Sequence, residues 1–460
     1  MTIGSVLIAN RGEIAVRINS AAKALGLRTI QVHSTADTDS LAVRLADEAV
    51  PIGPPAAKKS YLNIPAIIEA AKTAGADAVH PGYGFLAENA DFADAVVAAG
   101  MRFVGPSGTA IRLLGDKVAA REAARKAGVP TVPGSDGRIS SAADAANIAD
   151  EIGFPVMIKA AAGGGGRGIR IIKERSEFER QFLQAAAEAE AAFGDGGLYV
   201  EKVIERARHV EVQILGDGKN FVHCFERECS LQRRRQKVWE EAPAFRLPPE
   251  VRDRLCASAV ELARSVGYVG AGTVEYLYDE DAQAFYFIEV NTRIQVEHPV
   301  TEMITGIDLV QEMLKIAGGA PLSVRQEDIA ISGHAIECRI NAEDPFKDFQ
   351  PWPGKVEGLT VPEAAHVRFD TLLYEGYTVP PFYDSLLGKL IVHGETREQC
   401  LSRLGEALGE LEIRGIPTTV PLHTALAADP DVASGRIHTR FLEGWLETRF
   451  AARDSEKEVA

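Results

Sequence analysis

Hydrophobic and polar residues alternate through residues 287–298, so an extended chain there would present one polar face and one apolar face. The polar face would carry Glu289, Asn291, Arg293, Gln295 and Glu297. The apolar face would carry Ile288, Val290, Thr292, Ile294 and Val296. Such alternation is typical of a half-buried strand with a solvated face. This polar face, however, combines carboxylates, amides and a guanidinium, which indicates a binding site.

A preceding run, residues 272–278, predicts a partner strand that pairs with the first as a hairpin across residues 279–283. With the turn centred in that loop, Glu275 joins the polar face at a position diagonal to Glu289. The oxygen-bearing side chains of Glu275, Glu289 and Asn291 then converge. Because Mg²⁺ and Mn²⁺ prefer hard oxygen ligands, the hairpin predicts a site for one of these metals.

Length and composition describe an ordinary globular protein. The chain has 460 residues, of which 46% are hydrophobic, enough for roughly two to four domains. Its formal net charge of −15 argues against general binding to nucleic acid or anionic lipid. The five cysteines are irregularly spaced and form neither a disulfide framework nor paired metal ligands. With no cationic leader and only a short apolar run at the start, we expect a cytoplasmic protein that contacts neither nucleic acid nor membrane.

Strand and helix patterns alternate through residues 1–115, which predicts a doubly wound parallel sheet of Rossmann type. The turn at residues 9–13 lacks the G-x-G-x-x-G spacing of dinucleotide folds, so NAD binding is not expected. The loop at residues 80–89 directly follows another predicted strand, at the end where open α/β sheets bind ligands. Tyr83 and Glu88 are candidate contacts there, and a plain turn is an equally good interpretation.

Two features predict contacts with a polyphosphate. Lys117 lies near the start of a helix predicted for residues 116–127, where a cation opposes the helix dipole. It is either a solvated lysine or one that reaches a bound phosphate. Glycines dominate residues 163–168, and the β-branched residues that follow make this a strand-to-strand loop, unlike a Rossmann turn or a Walker loop. Such a flap can close its backbone N–H groups over phosphates, with Lys159 at the preceding strand end.

Three further runs add polar groups. Residues 198–205 predict a strand whose backbone amide groups at 201–204 suit a purine. Two other runs place polar residues on one face, in the sets His209, Glu211 and Gln213, and Glu337, Arg339 and Asn341. A lone histidine is usually structural. The basic run 232–237 is by default a solvated loop balanced by flanking glutamates, and it would hold small anions if it lay near the polar strand.

Together these motifs resemble those of biotin carboxylases, the ATP-grasp component of biotin-dependent carboxylases such as acetyl-CoA carboxylase. The resemblance covers nearly the whole chain, at residues 6–13, 80–85, 115–117, the glycine flap, 289–299 and 339–345. Its most specific part is Asn-Thr-Arg-Ile-Gln-Val-Glu-His-Pro at residues 291–299. ATP-grasp ligases in general share the flap and the acidic metal ligands but lack this string.

The resemblance implies an α/β protein with several domains. They are an N-terminal Rossmann-like domain at 1–115, an ATP-grasp domain at 116–330 with a mobile glycine-rich lid at about 131–203, and a C-terminal α/β domain at 331–446, followed by a tail at 447–460. It also implies ATP-dependent carboxylation of biotin by bicarbonate through carboxyphosphate. Another ATP-grasp carboxylate–amine ligase and an inactive ATP-binding regulator are the alternatives.

The resemblance also assigns roles to residues of this chain. ATP would be bound by Lys117, Lys159, Gly165, Gly166, Glu201, Lys202, Val203, Ile204, His209 and Arg235, and the metal by Glu275, Glu289 and Asn291. Bicarbonate would be held by Lys237, Arg293, Gln295 and Val296, with Glu297 as the base. The ureido ring of biotin would contact Arg339 and Tyr83.

Two positions depart from the family pattern. Arg235 stands where the family usually has a histidine, so a nucleotide contact is replaced or altered. Ala161 and Ala162 begin the flap where many members have an additional glycine, which stiffens its opening.

No methionine lies in a Met-Lys-Met biotinylation site, so biotin is expected on a separate carrier protein. Separate carboxyltransferase subunits and a homodimer are likewise expected from the family. The carboxyl acceptor, whether acetyl-CoA for fatty acid biosynthesis, another acyl-CoA or urea, is left open.

Overall fold

The N-terminal segment forms a parallel sheet flanked by helices in the computed structural model, which describes residues 3–160, 169–193 and 196–450. Its elements are β1 (Ser5–Ile8), α1 (Gly12–Ala24), β2 (Arg28–Ser34), α2 (Leu41–Leu45), β3 (Glu48–Gly53), α3 (Ile64–Thr73), β4 (Ala78–His80), α4 (Ala90–Ala98) and β5 (Arg102–Phe103). The strand order is β3-β2-β1-β4-β5, all parallel. β1 is apolar and buried, as a central parallel strand must be. The predicted doubly wound sheet is confirmed.

The following segment carries a small sheet with a core of its own. Its elements are α5 (Gly108–Gly115), α6 (Lys117–Lys126), α7 (Ala142–Ile152), β6 (Val156–Ala160), β7 (Ile169–Ile172), α8 (Arg175–Phe193) and β8 (Leu198–Lys202). β6 lies between β7 and β8, antiparallel to both, and α7 and α8 cover the sheet with apolar side chains. We call residues 131–203 the lid segment. The glycine flap, including Gly165 and Gly166, lies outside the described residues.

One long sheet dominates the rest of the chain. The elements are β9 (Ala207–Asp217), β10 (Phe221–Arg233), β11 (Gln236–Ala242), α9 (Pro249–Ser265), β12 (Val269–Asp279), β13 (Ala284–Asn291), α10 (His298–Thr305), α11 (Leu309–Ala317), β14 (His334–Asn341), β15 (Glu343–Asp344), β16 (Gln350–Pro351), β17 (Gly354–Lys355), β18 (Gly358–Thr360), β19 (Val367–Thr371), β20 (Thr378–Val379), β21 (Leu386–Gly394), α12 (Arg397–Glu410), β22 (Glu412–Arg414), α13 (Val420–Ala427), α14 (Pro430–Ala433) and α15 (Phe441–Trp445). The strand order is β13-β12-β9-β10-β11-β14-β21-β19, antiparallel throughout. The sheet therefore continues across residue 330, and the predicted domain division there stays a prediction.

No helix within the described parts of the chain is both long and apolar enough to cross a membrane.

The predicted strand at residues 287–298 is wrong beyond Asn291. β13 ends there, the chain then follows an irregular path, and α10 begins with Pro299 in its first turn. Proline suits the start of a helix because it lacks the N–H that a central strand would need. The alternation therefore cannot set the directions of the side chains that follow Asn291.

The predicted register of the β12–β13 hairpin is also wrong, because the pairing of the two strands shifts by one residue after Glu275. Glu275 lies directly opposite Glu289, not diagonal to it. Tyr276 pairs with Phe287, so Ile288 has no partner and forms a bulge. Ile288, expected on the apolar face, is 36% exposed. The bulge brings the two carboxylates face to face across the hairpin.

Phe178 supports the core of the lid segment. Its buried ring stacks on Phe182 at 5.9 Å and meets Phe154 edge-on at 6.1 Å. We expect Phe178→Ala to destabilise the lid segment by roughly 3–5 kcal/mol, because a large cavity is left. Amide hydrogen exchange should become faster in β6 while β12 keeps its protection. Leu183→Ala on the same helix is the control, since Leu183 is 60% exposed. Equally faster exchange in both strands would contradict a separate lid core.

Candidate active site

The ammonium group of Lys237 connects three carboxylates at the centre of the long sheet. It donates to Glu211 at 2.5 Å, to Glu297 at 2.7 Å and to Glu275 at 2.9 Å. Burial favours the neutral amine, but the three carboxylates more than offset this and raise the pKa of Lys237 well above its usual value. Lys237 is therefore a permanently charged group at this position.

The basic run forms the tip of the β10–β11 hairpin, and its residues 234–236 are exposed, as expected for a solvated loop. Arg234 and Arg235 occupy the two-residue turn with φ of 49° and 65°, as a type I′ turn requires. Arg233 and Arg234 pair with Asp348 at 2.6 and 3.1 Å, and the side chain of Arg235 is exposed. Lys237 follows the turn on β11, and the hairpin directs its side chain into the site.

A buried guanidinium, that of Arg227, holds the same cluster from the other side. It donates to Glu211 (2.7 Å), Gln213 (2.7 Å), Thr273 (3.1 Å), Gln295 (2.9 Å) and Thr301 (2.9 Å). Glu211 and Gln213 therefore lie on one face of β9, as predicted, because both contact Arg227. Arg227 is not among the site residues predicted from the sequence. Its place within a long run of strand-like residues was the available signal.

Glu297 lies between two cations. Lys237 contacts one of its oxygens, and Arg339 donates to the other at 2.9 Å and to Glu240 at 2.6 Å. Burial alone would raise the pKa of Glu297, but Lys237 and Arg339 outweigh it, and the pKa falls below its usual value. Glu297 is therefore an ionised, buried carboxylate, which can accept a proton.

The irregular residues between β13 and α10 are fixed by side chains from elsewhere. Arg293 pairs with Glu88 at 3.0 Å, and Glu88 also accepts from the backbone N–H of Thr292 at 3.2 Å. Gln295 donates to Glu275 at 2.9 Å. Arg293, Gln295 and Glu297 are thus linked through Asn291, Glu275 and Lys237, although no strand carries them. Their predicted roles toward bicarbonate stay predictions. Glu88 reaches them from the loop after β4, and its predicted contact with a ligand stays a prediction.

The hairpin carboxylates have the character of a divalent metal site. Glu275 and Glu289 face each other, and Asn291 contacts Glu275 at 2.8 Å. Burial and the neighbouring Glu275 carboxylate raise the pKa of Glu289, so a cation bound between them would relieve their repulsion. Two carboxylates and an amide oxygen suit Mg²⁺ or Mn²⁺, which leave their other positions to water and phosphate.

Two further sets of side chains within the described residues are close enough to share a metal. They are His209, Glu211 and Glu275, and Glu211, Cys229 and Glu297. Lys237 already supplies a cation to the carboxylates of both sets. Burial alone would lower the pKa of His209, yet Glu275 at 3.2 Å and Glu211 raise it to about 9. Both sets are therefore parts of one internally balanced charge cluster.

The candidate nucleotide residues lie at the lid side of the site. Lys159 pairs with Glu201, which also accepts from Arg121 at 3.1 Å. The amine of Lys202 donates to the carbonyls of Gly153 and Phe154 at 3.0 and 3.2 Å. Val203 is buried and Ile204 half-buried. Lys117 starts α6 and is exposed, close enough for its charge to act on Glu289.

The candidate ring contacts, Tyr83 and Arg339, lie beside two buried glutamates, Glu13 and Glu337. The hydroxyl of Tyr83 donates to Glu13 in the first turn of α1. Beside Arg339 is Glu337, which is buried and whose two carboxylate oxygens have no hydrogen-bond partner among the described residues. Burial raises the pKa of Glu337 well above its usual value. The predicted roles of these residues stay predictions.

Three family models match the chain in succession. "Biotin carboxylase, N-terminal domain" matches residues 2–111, "Carbamoyl-phosphate synthase L chain, ATP binding domain" matches 116–325, and "Biotin carboxylase C-terminal domain" matches 337–444. A protein of Pseudomonas aeruginosa named biotin carboxylase is 54% identical over 440 residues, which are 95% of this chain and 97% of that protein. The chain belongs to the biotin carboxylase family. The resemblance inferred from its motifs is confirmed, and with it the enzyme class, a ligase of the ATP-grasp type.

Solved biotin carboxylase structures share the fold. The Campylobacter jejuni biotin carboxylase–beta-gamma-ATP complex has a TM-score of 0.88 and 47% identity, over 96% of this chain and 99% of that chain. The biotin carboxylase domain dimer of Hydrogenobacter thermophilus 2-oxoglutarate carboxylase, in complex with MgADP, ADP and bicarbonate, has a TM-score of 0.86 and 46% identity, over 97% and 98% of the two chains. The predicted fold, with a parallel N-terminal sheet, an ATP-grasp centre and a C-terminal α/β part, is confirmed.

Removing the Arg227 guanidinium should destabilise the whole biotin carboxylase fold. We expect Arg227→Met to lower the free energy of unfolding by roughly 3–5 kcal/mol, because it leaves buried carboxylate and amide oxygens without a donor. Urea denaturation measures the loss. Arg112→Met removes an arginine that is half exposed and paired with Asp91 and Asp94, and should cost about 1 kcal/mol or less. An equal decrease in the free energy of unfolding for the two variants would contradict a central structural role for Arg227.

The proton on Glu240 should make stability depend on pH. Burial raises the pKa of Glu240 to about 7 from the ordinary 4.5, against the attraction of Arg339. The folded state binds this proton more tightly than the unfolded state does. The contribution of Glu240 to the free energy of unfolding is therefore fully present below pH 4.5 and is lost as the pH rises through about 7. The free energy of unfolding of the wild type, relative to Glu240→Gln, should therefore fall over that range in urea denaturation. Glu261→Gln at an exposed position is the control. A constant or rising difference would contradict the assignment.

Proposed function

We propose that this chain catalyses the ATP-dependent carboxylation of biotin by bicarbonate. The observation that carries the proposal is the environment of Glu297, a buried ionised carboxylate between Lys237 and Arg339 with Arg293 in the same turn. Cations around a carboxylate base suit an anionic substrate that must be held and deprotonated at once. The alternatives, another ATP-grasp ligase and an inactive regulator, gain no comparable support.

ATP is proposed to bind at the lid side. Lys117 and Lys159 would contact its phosphates together with Gly165 and Gly166, and Glu201, Lys202, Val203, Ile204, His209 and Arg235 would complete the pocket. Lysines now paired with Glu201 or with backbone carbonyls can exchange these partners for phosphate oxygens, to which a charged donor binds strongly. The two solved structures, one in complex with beta-gamma-ATP and the other with MgADP, support this placement.

Glu275, Glu289 and Asn291 are the proposed holders of Mg²⁺ or Mn²⁺. Such an ion, when bound, screens the phosphate oxygens so that an anion can approach them. The amides of Asn291 and Gln295 fix the Glu275 carboxylate in place. The complex of the Hydrogenobacter thermophilus domain with MgADP is consistent with this metal.

In the proposed reaction, Glu297 takes the proton of bicarbonate, which Lys237, Arg293, Gln295 and Val296 hold. The freed oxygen attacks the γ-phosphorus of ATP, the bond to the bridging oxygen breaks, and ADP leaves. The resulting carboxyphosphate breaks down to CO₂ and phosphate. Phosphate then takes the proton of the biotin ureido nitrogen, and this nitrogen attacks CO₂ to give carboxybiotin. Arg339 and Tyr83 would hold the ring and stabilise its enolate charge.

The partners are proposed from the family. Biotin would arrive on a carrier protein, and carboxyltransferase subunits would use the product. A homodimer is supported by the Hydrogenobacter thermophilus domain, which was solved as a dimer. The described cysteines are all buried free thiols, which suits the reducing cytoplasm that we propose as the location.

The carboxyl acceptor is a finer proposal. We favour an acyl-CoA, of the acetyl-CoA carboxylase type, because relatives at 52% to 54% identity bear the plain name biotin carboxylase. A relative at 48% identity is named as one of the subunits of a pyruvate carboxylase, so the acceptor depends on the transferase partner. Identifying the proteins that copurify with this chain would decide between them.

ADP release should require bicarbonate and should increase when biotin is added. Glu297→Gln should reduce the biotin-stimulated rate by about 10²- to 10⁴-fold with little change in the KM for ATP, since an amide cannot accept the proton. A coupled ADP assay measures both quantities.

Glu241→Gln is the matched control for this test. It removes another buried carboxylate, one paired with Arg397 and His334 away from the proposed bicarbonate site, and should leave the stimulated rate within about twofold. If neither free biotin nor a biotinylated carrier increases turnover of the folded protein, the proposed function is wrong. An unchanged rate in Glu297→Gln would exclude only its role as base.

A further inference from the structure

Lys389, on β21, is a buried cation to which the proposed reaction gives no role. Its side chain is completely inaccessible to solvent, and its amine donates to the backbone carbonyl of Val296 at 2.7 Å. The same amine lies 3.3 Å from Glu13 and 3.9 Å from Asp370. A lysine in such a place loses its hydration and persists only where its partners compensate for that loss. The role of Lys389 can therefore be inferred from its partners, the Val296 carbonyl and the Glu13 carboxylate.

The contact with Val296 falls on the irregular turn that carries the proposed base. Val296 lies between Gln295, a proposed bicarbonate ligand, and Glu297. No strand ladder fixes this turn, because β13 has already ended. Arg227 holds the turn through the side chain of Gln295, whereas Lys389 holds the backbone itself. A cation on the carbonyl fixes the peptide plane from which the Glu297 side chain projects.

The contact with Glu13 connects Lys389 to the proposed binding site of the biotin ring. Glu13 accepts a hydrogen bond from the hydroxyl of Tyr83, the proposed ring contact, and one of its oxygens faces Lys389. The amine of Lys389 thus lies between the turn that carries the base and the carboxylate that holds the tyrosine. The three side chains come from β21, α1 and the loop after β4.

Charge balance for the two carboxylates is the competing explanation. Asp370 does not need Lys389, because Arg368 already binds it through two hydrogen bonds of 2.7 and 2.6 Å. Glu13 does lack another cation in the contacts described, and burial raises its pKa while Lys389 opposes the rise. A decisive test must therefore remove the Glu13 charge as well.

We propose that Lys389 is a positioning residue that fixes the Val296 carbonyl relative to the Glu13–Tyr83 pair, so that bicarbonate and the biotin ring keep their spacing across the site. This inference rests on the proposed function. Small displacements of reacting groups cost large factors in rate, which gives a reason to hold an irregular turn with a dedicated buried lysine.

Steady-state kinetics of Lys389→Met and of Lys389→Met/Glu13→Gln separate the two explanations. Positioning predicts that both variants raise the KM for bicarbonate about tenfold or more and lower kcat, with the KM for ATP changed by less than about twofold. Charge balance predicts that the double variant regains the bicarbonate KM of Glu13→Gln alone, and that result would overturn the proposal. Residue 13 of the double variant is an uncharged glutamine, so no buried carboxylate is left there without its cation. The double variant therefore still tests the proposal if Lys389→Met folds poorly.

Amide hydrogen exchange in the segment 292–298 gives a readout that needs no activity. Exchange should increase in Lys389→Met more than in Arg397→Met, the matched control. Arg397 is another buried cation, which donates to Glu241 at 2.6 Å and to the carbonyl of Val432 at 2.8 Å. Equal exchange in the two variants would overturn the proposal. If the wild type shows no bicarbonate-dependent turnover while the exchange difference persists, the proposed function has failed and the positioning of the turn has not.

Discussion

The balance of charge around the Lys237 ammonium is the constraint on which the rest of the site depends. Its three carboxylate partners come from β9, from β12 and from the turn before α10. Each of them would be costly to bury alone. The strands and the turn must therefore lie where one amine can reach all three, and Arg227 closes the arrangement from the far side.

Two further buried glutamates lie next to this cluster, and burial disfavours their charged forms. Glu240 and Glu337 face each other on β11 and β14, with Arg339 shared between Glu240 and Glu297. Burial raises the pKa of both glutamates while Glu297 stays ionised. The guanidinium of Arg339 therefore holds Glu240 through one nitrogen and Glu297, the proposed base, through another.

Local pattern predicted the parts of this molecule that local forces decide. The alternating strands and helices before residue 115 and the pairing of Glu275 with the Glu289 strand follow from short-range periodicity. The bulge at Ile288 and the end of β13 do not, because partners from other elements fix them. Lys389 and Val296 are 93 residues apart in the chain. No window of sequence contains such a pair. The motif string at 291–299 pointed to the family without showing which side chains hold these residues in place.

The turn at the tip of the β10–β11 hairpin has a consequence for engineering this enzyme. Arg234 and Arg235 both adopt left-handed backbone angles, at a strain of about 1–2 kcal/mol each for residues with a β-carbon. Asn-Gly, the sequence that favours this turn, would relieve the strain. It would also remove a partner of Asp348 and the guanidinium nearest in sequence to Lys237. A search for thermostable variants would therefore select against these arginines, and the ion pair of Arg234 with Asp348 would be lost along with the strain.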